Sequence, residues 1–238
     1  MRQIKAILFD KDGTLFDFNK TWANWSQKFL MHLAADDLVR ARRLGDAVGF
    51  DIAAGMFRKD SILVSATPHD ITDALLPHLP GAMKSNILRL MSRLTAEVPQ
   101  AEATPLEPLL SELIGRGLVL GVVTNDTLEP TRRHLQEFGV TEAFAMVLAS
   151  DSGFAAKPAP DMLLAFSETV GLDPAEIVMI GDSSHDLVAA RAAGMPSIAV
   201  LTGIADRAQL EPLADAVLPS VAGLPGWLDQ RCPTRSAA

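Results

Sequence analysis

Apolar residues follow two rhythms along this chain. Residues 4–9 form a compact apolar run, and similar runs recur at 118–124, 145–149, 177–181 and 197–201. Short apolar runs bounded by turn-forming residues predict buried strands. Segments with helical spacing lie between the later runs, at 131–138, 161–170 and 187–193. Gly139, Gly171 and Gly194 follow these segments, where a helix C-cap favours positive φ. Pro130 and Pro160 fall at or near the helix starts, where proline is tolerated. Strands alternating with helices predict an α/β core: a Rossmann-like, three-layer parallel sheet.

The rhythm changes between residues 17 and 100. Phe18, Trp22, Trp25 and Phe29 recur at helical spacing, as do Ile87, Leu88, Met91 and Leu94. No strand pattern is evident there. The reading is an all-helical insert of residues 17–100 within a core of residues 1–16 and 101–238, with Pro99, Pro105 and Pro108 marking the return. The segment after residue 230 is expected to be mobile.

Composition narrows the class. The formal net charge is −8, which argues against a nucleic-acid binder, because such a protein carries a basic patch. The one cysteine, Cys232, permits neither an intramolecular disulfide nor a cysteine metal site. The first apolar run is too short for a signal segment, and no run approaches the roughly 18 residues that span a bilayer. The expectation is a cytoplasmic protein with no membrane partner.

Chemistry-bearing residues gather at the predicted strand exits. Asp10-Lys11-Asp12-Gly13-Thr14 ends the first, Thr124-Asn125 closes the run at 118–124, and Lys157-Pro158 follows the run at 145–149. Gly181 to Asp186 (GDSSHD) closes the run at 177–181. In a parallel sheet these exits share one edge, where open α/β sheets bind ligands. Bringing Asp10, Asp12, Asp182 and Asp186 together concentrates negative charge. Each like-charge pair at about 4 Å costs roughly 4 kcal/mol at an effective dielectric near 20. Lys157 alone cannot offset several such pairs, whereas a hard divalent cation can, and an oxygen-only donor set suits Mg²⁺. Adding the Thr124 hydroxyl and the Lys157 ammonium gives an inventory that suits a phosphoryl group.

Each motif alone has an ordinary explanation. Asp-x-Asp at a strand end is commonly a turn. An EF-hand loop counted from Asp10 fails, because its sixth and twelfth positions hold Leu15 and Thr21 rather than glycine and glutamate. Taken together, in this order, the motifs resemble those of the haloacid dehalogenase superfamily of aspartate-nucleophile phosphohydrolases. Asp10 to Leu15 resembles its first motif, Thr124 its second, and Lys157-Pro158 with Pro160 its third. Gly181 to Asp186, with the following AARAAG at 189–194, resembles its fourth. A helical insert between the first two motifs resembles the subgroup that includes phosphoglycolate phosphatases.

The resemblance implies roles. Asp10 would be the nucleophile and form an aspartyl phosphate, while Asp12 would protonate the leaving oxygen and then activate water. Thr124, Asn125 and Lys157 would hold the phosphate. Mg²⁺ would be held by Asp10, Asp182 and the Asp12 backbone carbonyl, with Asp186 behind them or linked through water. The substrate would be a small phosphorylated metabolite, such as a phosphoglycolate-like monoester, and the protein a monomer or homodimer. A phosphonatase or phosphomutase on the same scaffold remains open, as does a non-catalytic phospholigand-binding module. In the insert, Arg58 and Lys59 are candidates for an anionic part of the substrate, against a solvated helix end. Trp22 and Trp25 read as core, His185 as locally structural and Asp126 as a helix cap, while Lys11 has no functional reading.

Overall fold

All four residues of the first strand, β1 (Ala6–Phe9), are buried, and the sheet is built outward from it on both sides. The computed structural model describes residues 3–58, 60–64 and 66–231. After β1 come α1 (Phe18–Leu33), α2 (Leu38–Val48), the two-residue strands β2 (Phe50–Asp51) and β3 (Met56–Phe57), α3 (Pro68–Leu75) and α4 (Lys84–Ala96). The chain then alternates α5 (Leu106–Gly115), β4 (Val119–Val123), α6 (Leu128–Glu137), β5 (Met146–Leu148), α7 (Asp161–Val170), β6 (Ile177–Gly181), α8 (Ser184–Ala193) and β7 (Ser197–Val200). It ends with α9 (Arg207–Leu210), β8 (Ala216–Leu218) and α10 (Leu224–Arg231).

The strand order is β5-β4-β1-β6-β7-β8, and every pairing in this sheet is parallel. Side chains on β1 alternate, so Ile7 and Phe9 face one layer and Ala6 and Leu8 the other. Ile7 and Phe9 pack with Leu106, Leu110 and Leu113 of α5, Leu135 of α6 and Trp227 of α10. Ala6 and Leu8 pack with Met162 and Phe166 of α7 and Ala189 and Ala193 of α8. This is the expected three-layer α/β core. From β1 the chain builds outward through β4 to β5 and then crosses back to β6 on the other side of β1, so the topological switch point lies at the neighbouring exits of β1 and β6.

Residues 18–98 form a separate apolar cluster that includes Phe18, Trp22, Phe29, Leu44, Phe50, Leu75 and Met91. Two of its helices, α2 and α3, begin at recognisable caps. Asp37 accepts from the N–H groups of Val39 (2.8 Å) and Arg40 (3.1 Å) at the start of α2, and Thr67 forms a capping box with Asp70 ahead of Pro68. The insert is helical as expected, with one addition. β2 and β3 form a short antiparallel ladder joined by a turn in which Asp51 accepts from the N–H groups of Ala53 and Ala54. Two residues per strand leave no alternation to read. The two linkers run side by side, with the Asp17 N–H donating to the Ala101 carbonyl (2.7 Å) and the Ala103 N–H to the Leu15 carbonyl (2.9 Å). The insert therefore leaves and rejoins the core directly beside the Asp10–Thr14 loop. Among the described residues, no helix is long and apolar enough to cross a membrane. The expected mobile tail lies outside the described residues apart from the end of α10.

Candidate active site

The exits of β1, β4 and β6 and the loop after β5 converge. Lys157, buried behind the site, is the hub: its Nζ donates to Asp10 Oδ1 (2.7 Å), Asp186 Oδ1 (2.6 Å) and the Val123 carbonyl (2.7 Å). Burying an ammonium is unfavourable, but Asp10 and Asp186 outweigh that and raise the Lys157 pKa. The Asn125 side chain brackets the Lys157 backbone, donating to its carbonyl (2.9 Å) and accepting from its N–H (3.0 Å). Asn125 thus fixes the lysine, a task its sequence position did not suggest. Asp186 also closes a capping box with Ser183 at the start of α8. Gly181 makes room for this, since a Cβ there would fall 2.2 Å from Asp186 Cγ.

Asp10, Asp182 and Asp186 each bring a carboxylate oxygen within 4.8 Å of the others. Asp182 Oδ2 is buried with no hydrogen-bond partner. Gly13 and Gly203 press against it, since a Cβ at either would lie 2.3 Å or 1.6 Å from that oxygen. Burial, opposed by Lys157, pushes the Asp10 pKa up to about 7. Burial together with Asp10 and Asp186 raises Asp182 well above the usual carboxylate range. Clustered carboxylates with an orphaned oxygen fit a hard divalent cation. The expected placement of Asp186 behind the other ligands meets a geometry in which it ranks with them in distance while committed to Lys157.

Asp12 stands apart from this cluster. Its Oδ2 lies 2.8 Å from Lys11 Nζ, and its Oδ1 accepts from Trp22 Nε1 (2.9 Å). Burial, opposed by Lys11, raises the Asp12 pKa. Thr124 is buried, and its Oγ1 accepts from the Asp126 N–H (3.1 Å), which leaves the hydroxyl proton available to a ligand.

A cavity of about 360 Å³ opens over these groups, lined on the core side by Asp10, Asp12, Thr124 and Lys157. The facing wall is largely apolar and includes Phe18, Trp22, Trp25, Leu63, Leu88 and Met91, with His69 and Arg89 among its polar members. Trp22 and Trp25 are therefore both core and cavity wall.

Other expectations are corrected. Arg58 does not reach this cavity; it is exposed and paired with Asp46, because α2 presents that carboxylate beside it. Lys59 lies outside the described residues. Asp126 is not the cap of α6: Thr127 holds that position and Asp151 accepts from the Leu128 N–H (2.9 Å), while Asp126 turns to Lys11 and to the Thr127 N–H. His185 lines the cavity with its Nδ1 buried and unpartnered, which its motif position did not indicate.

A doubly wound parallel sheet with carboxylates and a buried lysine at its switch point defines an α/β enzyme of the aspartate-centred kind. The family model for haloacid dehalogenase-like hydrolases matches residues 7–200, and the chain belongs to that family; it is a hydrolase. The phosphoglycolate phosphatase of Chromobacterium violaceum is 31% identical over 228 residues, covering 94% of this chain and 96% of the relative. That of Rhodospirillum rubrum is 28% identical over 235 residues, covering 94% and 90%. The crystal structure of CbbY from Rhodobacter sphaeroides in complex with phosphate superimposes with a TM-score of 0.70 at 23% identity, covering 93% of this chain and 96% of that one, and supports the fold.

Proposed function

We propose that this protein is a phosphoric monoester hydrolase that cleaves a small phosphorylated metabolite through an aspartyl phosphate on Asp10. The observation that carries this reading is the Asp10 carboxylate, held 2.7 Å from a buried ammonium at the switch point and beside the unpartnered Asp182 oxygen. An Asp10 oxygen attacks phosphorus as the bond to the leaving oxygen breaks. Asp12 gives its proton to that oxygen, and the alcohol departs. Asp12, now ionised, takes a proton from a water that attacks phosphorus, which frees inorganic phosphate and restores Asp10. Thr124 donates to a phosphoryl oxygen, the Lys157 ammonium offsets phosphoryl charge from beside Asp10, and Asn125 supports this through its grip on Lys157.

Asp10, Asp182 and the Asp12 backbone carbonyl would hold Mg²⁺, with Asp186 steadying Lys157 behind them. When bound, the ion supplies positive charge that favours ionised Asp10 and draws charge from the phosphoryl oxygens. Residues 17–100 would form the cap that excludes water and selects substrate. We take the protein to be cytoplasmic, acting as a monomer or homodimer without nucleic-acid or membrane partners.

The relatives' names point to a phosphoglycolate-like substrate. A second reading has its own support: the wall formed by Phe18, Trp22, Trp25, Leu63, Leu88 and Met91 favours a monoester with an apolar organic part. A panel with Mg²⁺ separates them. Preference for phosphoglycolate supports the first, and preference for naphthyl or benzyl phosphate over short acidic esters supports the second. No phosphate release from any monoester rejects both.

A further inference from the structure

Lys11 lies between the two carboxylates of the first motif, and its side chain is wholly buried. Its Nζ is 2.8 Å from Asp12 Oδ2, 2.9 Å from Asp126 Oδ2 and 3.2 Å from His134 Nδ1. These three acceptors match the three protons of an ammonium. His134 Nε2 faces the Thr95 carbonyl at 3.0 Å, which places the ring proton on Nε2 and leaves Nδ1 to accept from Lys11. The other Asp12 oxygen accepts from Trp22 Nε1, and the Lys11 ammonium stands 5.5 Å from the Trp22 ring centroid. Each oxygen of the Asp12 carboxylate is therefore gripped by a different donor. Lys11 comes from the loop after β1, and Trp22 comes from α1 of the insert.

We propose that Lys11 and Trp22 form a clamp that positions the Asp12 carboxylate for proton transfer, with Asp126 and His134 holding Lys11 in place. The inference rests on the proton-transfer reading of Asp12. Carboxylate rotation would carry the reacting oxygen out of hydrogen-bond reach of the leaving group, and proton transfer depends on that reach. Two donors on two oxygens fix the carboxylate plane. They still leave each oxygen capacity for a proton or for substrate. Lys11 faces Asp12, Asp126 and His134 rather than the cavity, so it is a positioning residue.

The test compares kcat/KM on two monoesters. Dinitrophenyl phosphate has a leaving group that departs without a proton, whereas an alkyl phosphate needs protonation. Lys11→Met should lose about 10- to 100-fold on the alkyl ester and less than about 3-fold on the dinitrophenyl ester, part of the range general acid catalysis supplies. Trp22→Phe, which also alters the cavity wall, should lose at least about tenfold more on the alkyl ester than on the dinitrophenyl ester. Asp126→Asn should shift the same way by a smaller factor. Adding Lys11→Met to Asp12→Asn should give no further alkyl-selective loss, because the clamp then has nothing to position. Equal losses on both esters, or full additivity in the double variant, would overturn the clamp. If Lys11→Met fails to fold, Trp22→Phe decides the matter: it takes the indole N–H from the same carboxylate along with part of the cavity wall, and only the lost N–H falls selectively on the alkyl ester. If Asp12→Asn is itself unselective between the esters, the proton-transfer role of Asp12 falls and the clamp with it. A selective Asp12→Asn beside unselective clamp variants rejects the clamp alone.

Discussion

Gly203→Ala is a severe test of the carboxylate cluster, because it adds one methyl group far from the motif residues in sequence. An ideal Cβ at Gly203 would lie 1.6 Å from Asp182 Oδ2, 2.4 Å from its Cγ and 2.7 Å from its Cβ. Rotating the Asp182 side chain relieves the first two contacts but leaves the third too short, so backbone must move as well. Restoring an ordinary contact of about 3.4 Å requires the carboxylate oxygen to retreat by about 1.8 Å. Metal coordination tolerates deviations of only about 0.2 Å. The expected result is a loss of Mg²⁺ affinity of at least about 10- to 100-fold, the scale seen when a ligand's support is removed. Overpacking should also destabilise the protein by about 1–3 kcal/mol. The assay is activity against Mg²⁺ concentration, with the Mg²⁺-induced rise in melting temperature as a second readout. Gly226→Ala on α10 is the control: beyond its chain neighbours and its own helix backbone nothing lies within 4 Å of the added carbon, so activity should hold and stability should rise by about 0.4–1 kcal/mol. Gly203→Ala with unchanged Mg²⁺ affinity would refute the assignment of Asp182 as a ligand.

The other predictions concern charge. Asp182→Asn removes a charge that burial, Asp10 and Asp186 all disfavour, so in chelator it should melt higher than the parent and gain nothing from Mg²⁺; a lower melting temperature in chelator contradicts this. Lys157→Met leaves Asp10 and Asp186 facing each other and should destabilise by about 3–5 kcal/mol while abolishing turnover, measurable by urea unfolding and phosphate release. His134 is held at about 4 by burial and by Lys11, with Asp126 pulling the other way. Because its folded pKa lies below the ordinary 6.5, the unfolded chain binds the extra proton between those values, and stability falls as pH drops below 6.5. That amounts to about 2 kcal/mol at pH 5, and His134→Gln should flatten this part of the stability–pH curve.

The sheet was legible because its strands are short, apolar and separated by helices with clear ends. Asp161–Val170 and Ile177–Gly181 fall where the pattern placed them, and Gly171 and Gly194 cap their helices with positive φ. β8 was not legible, since it is a three-residue, half-buried edge strand. At the site, Asp10, Thr124, Lys157, Asp182 and Asp186 could be read from strand exits, because parallel topology brings those exits to one edge. Lys11 could not be read that way. Its partners Asp126 and His134 lie more than a hundred residues away, and local pattern carries no record of such pairings. One signal was present: a lysine flanked by two aspartates at the end of a fully buried strand needs partners. Arg58 misled for the opposite reason, because its neighbour Asp46 satisfies it at the surface, away from the cavity.

The central claim is that Asp10 carries the phosphoryl group. Protein quenched during turnover of a phosphomonoester with Mg²⁺, then reduced with borohydride and mapped by mass spectrometry, should show reduction of the position 10 side chain to the alcohol that an acyl phosphate yields. Asp10→Asn should show neither the reduced residue nor turnover. Modification at another residue, or phosphate release undiminished in Asp10→Asn, would contradict the account.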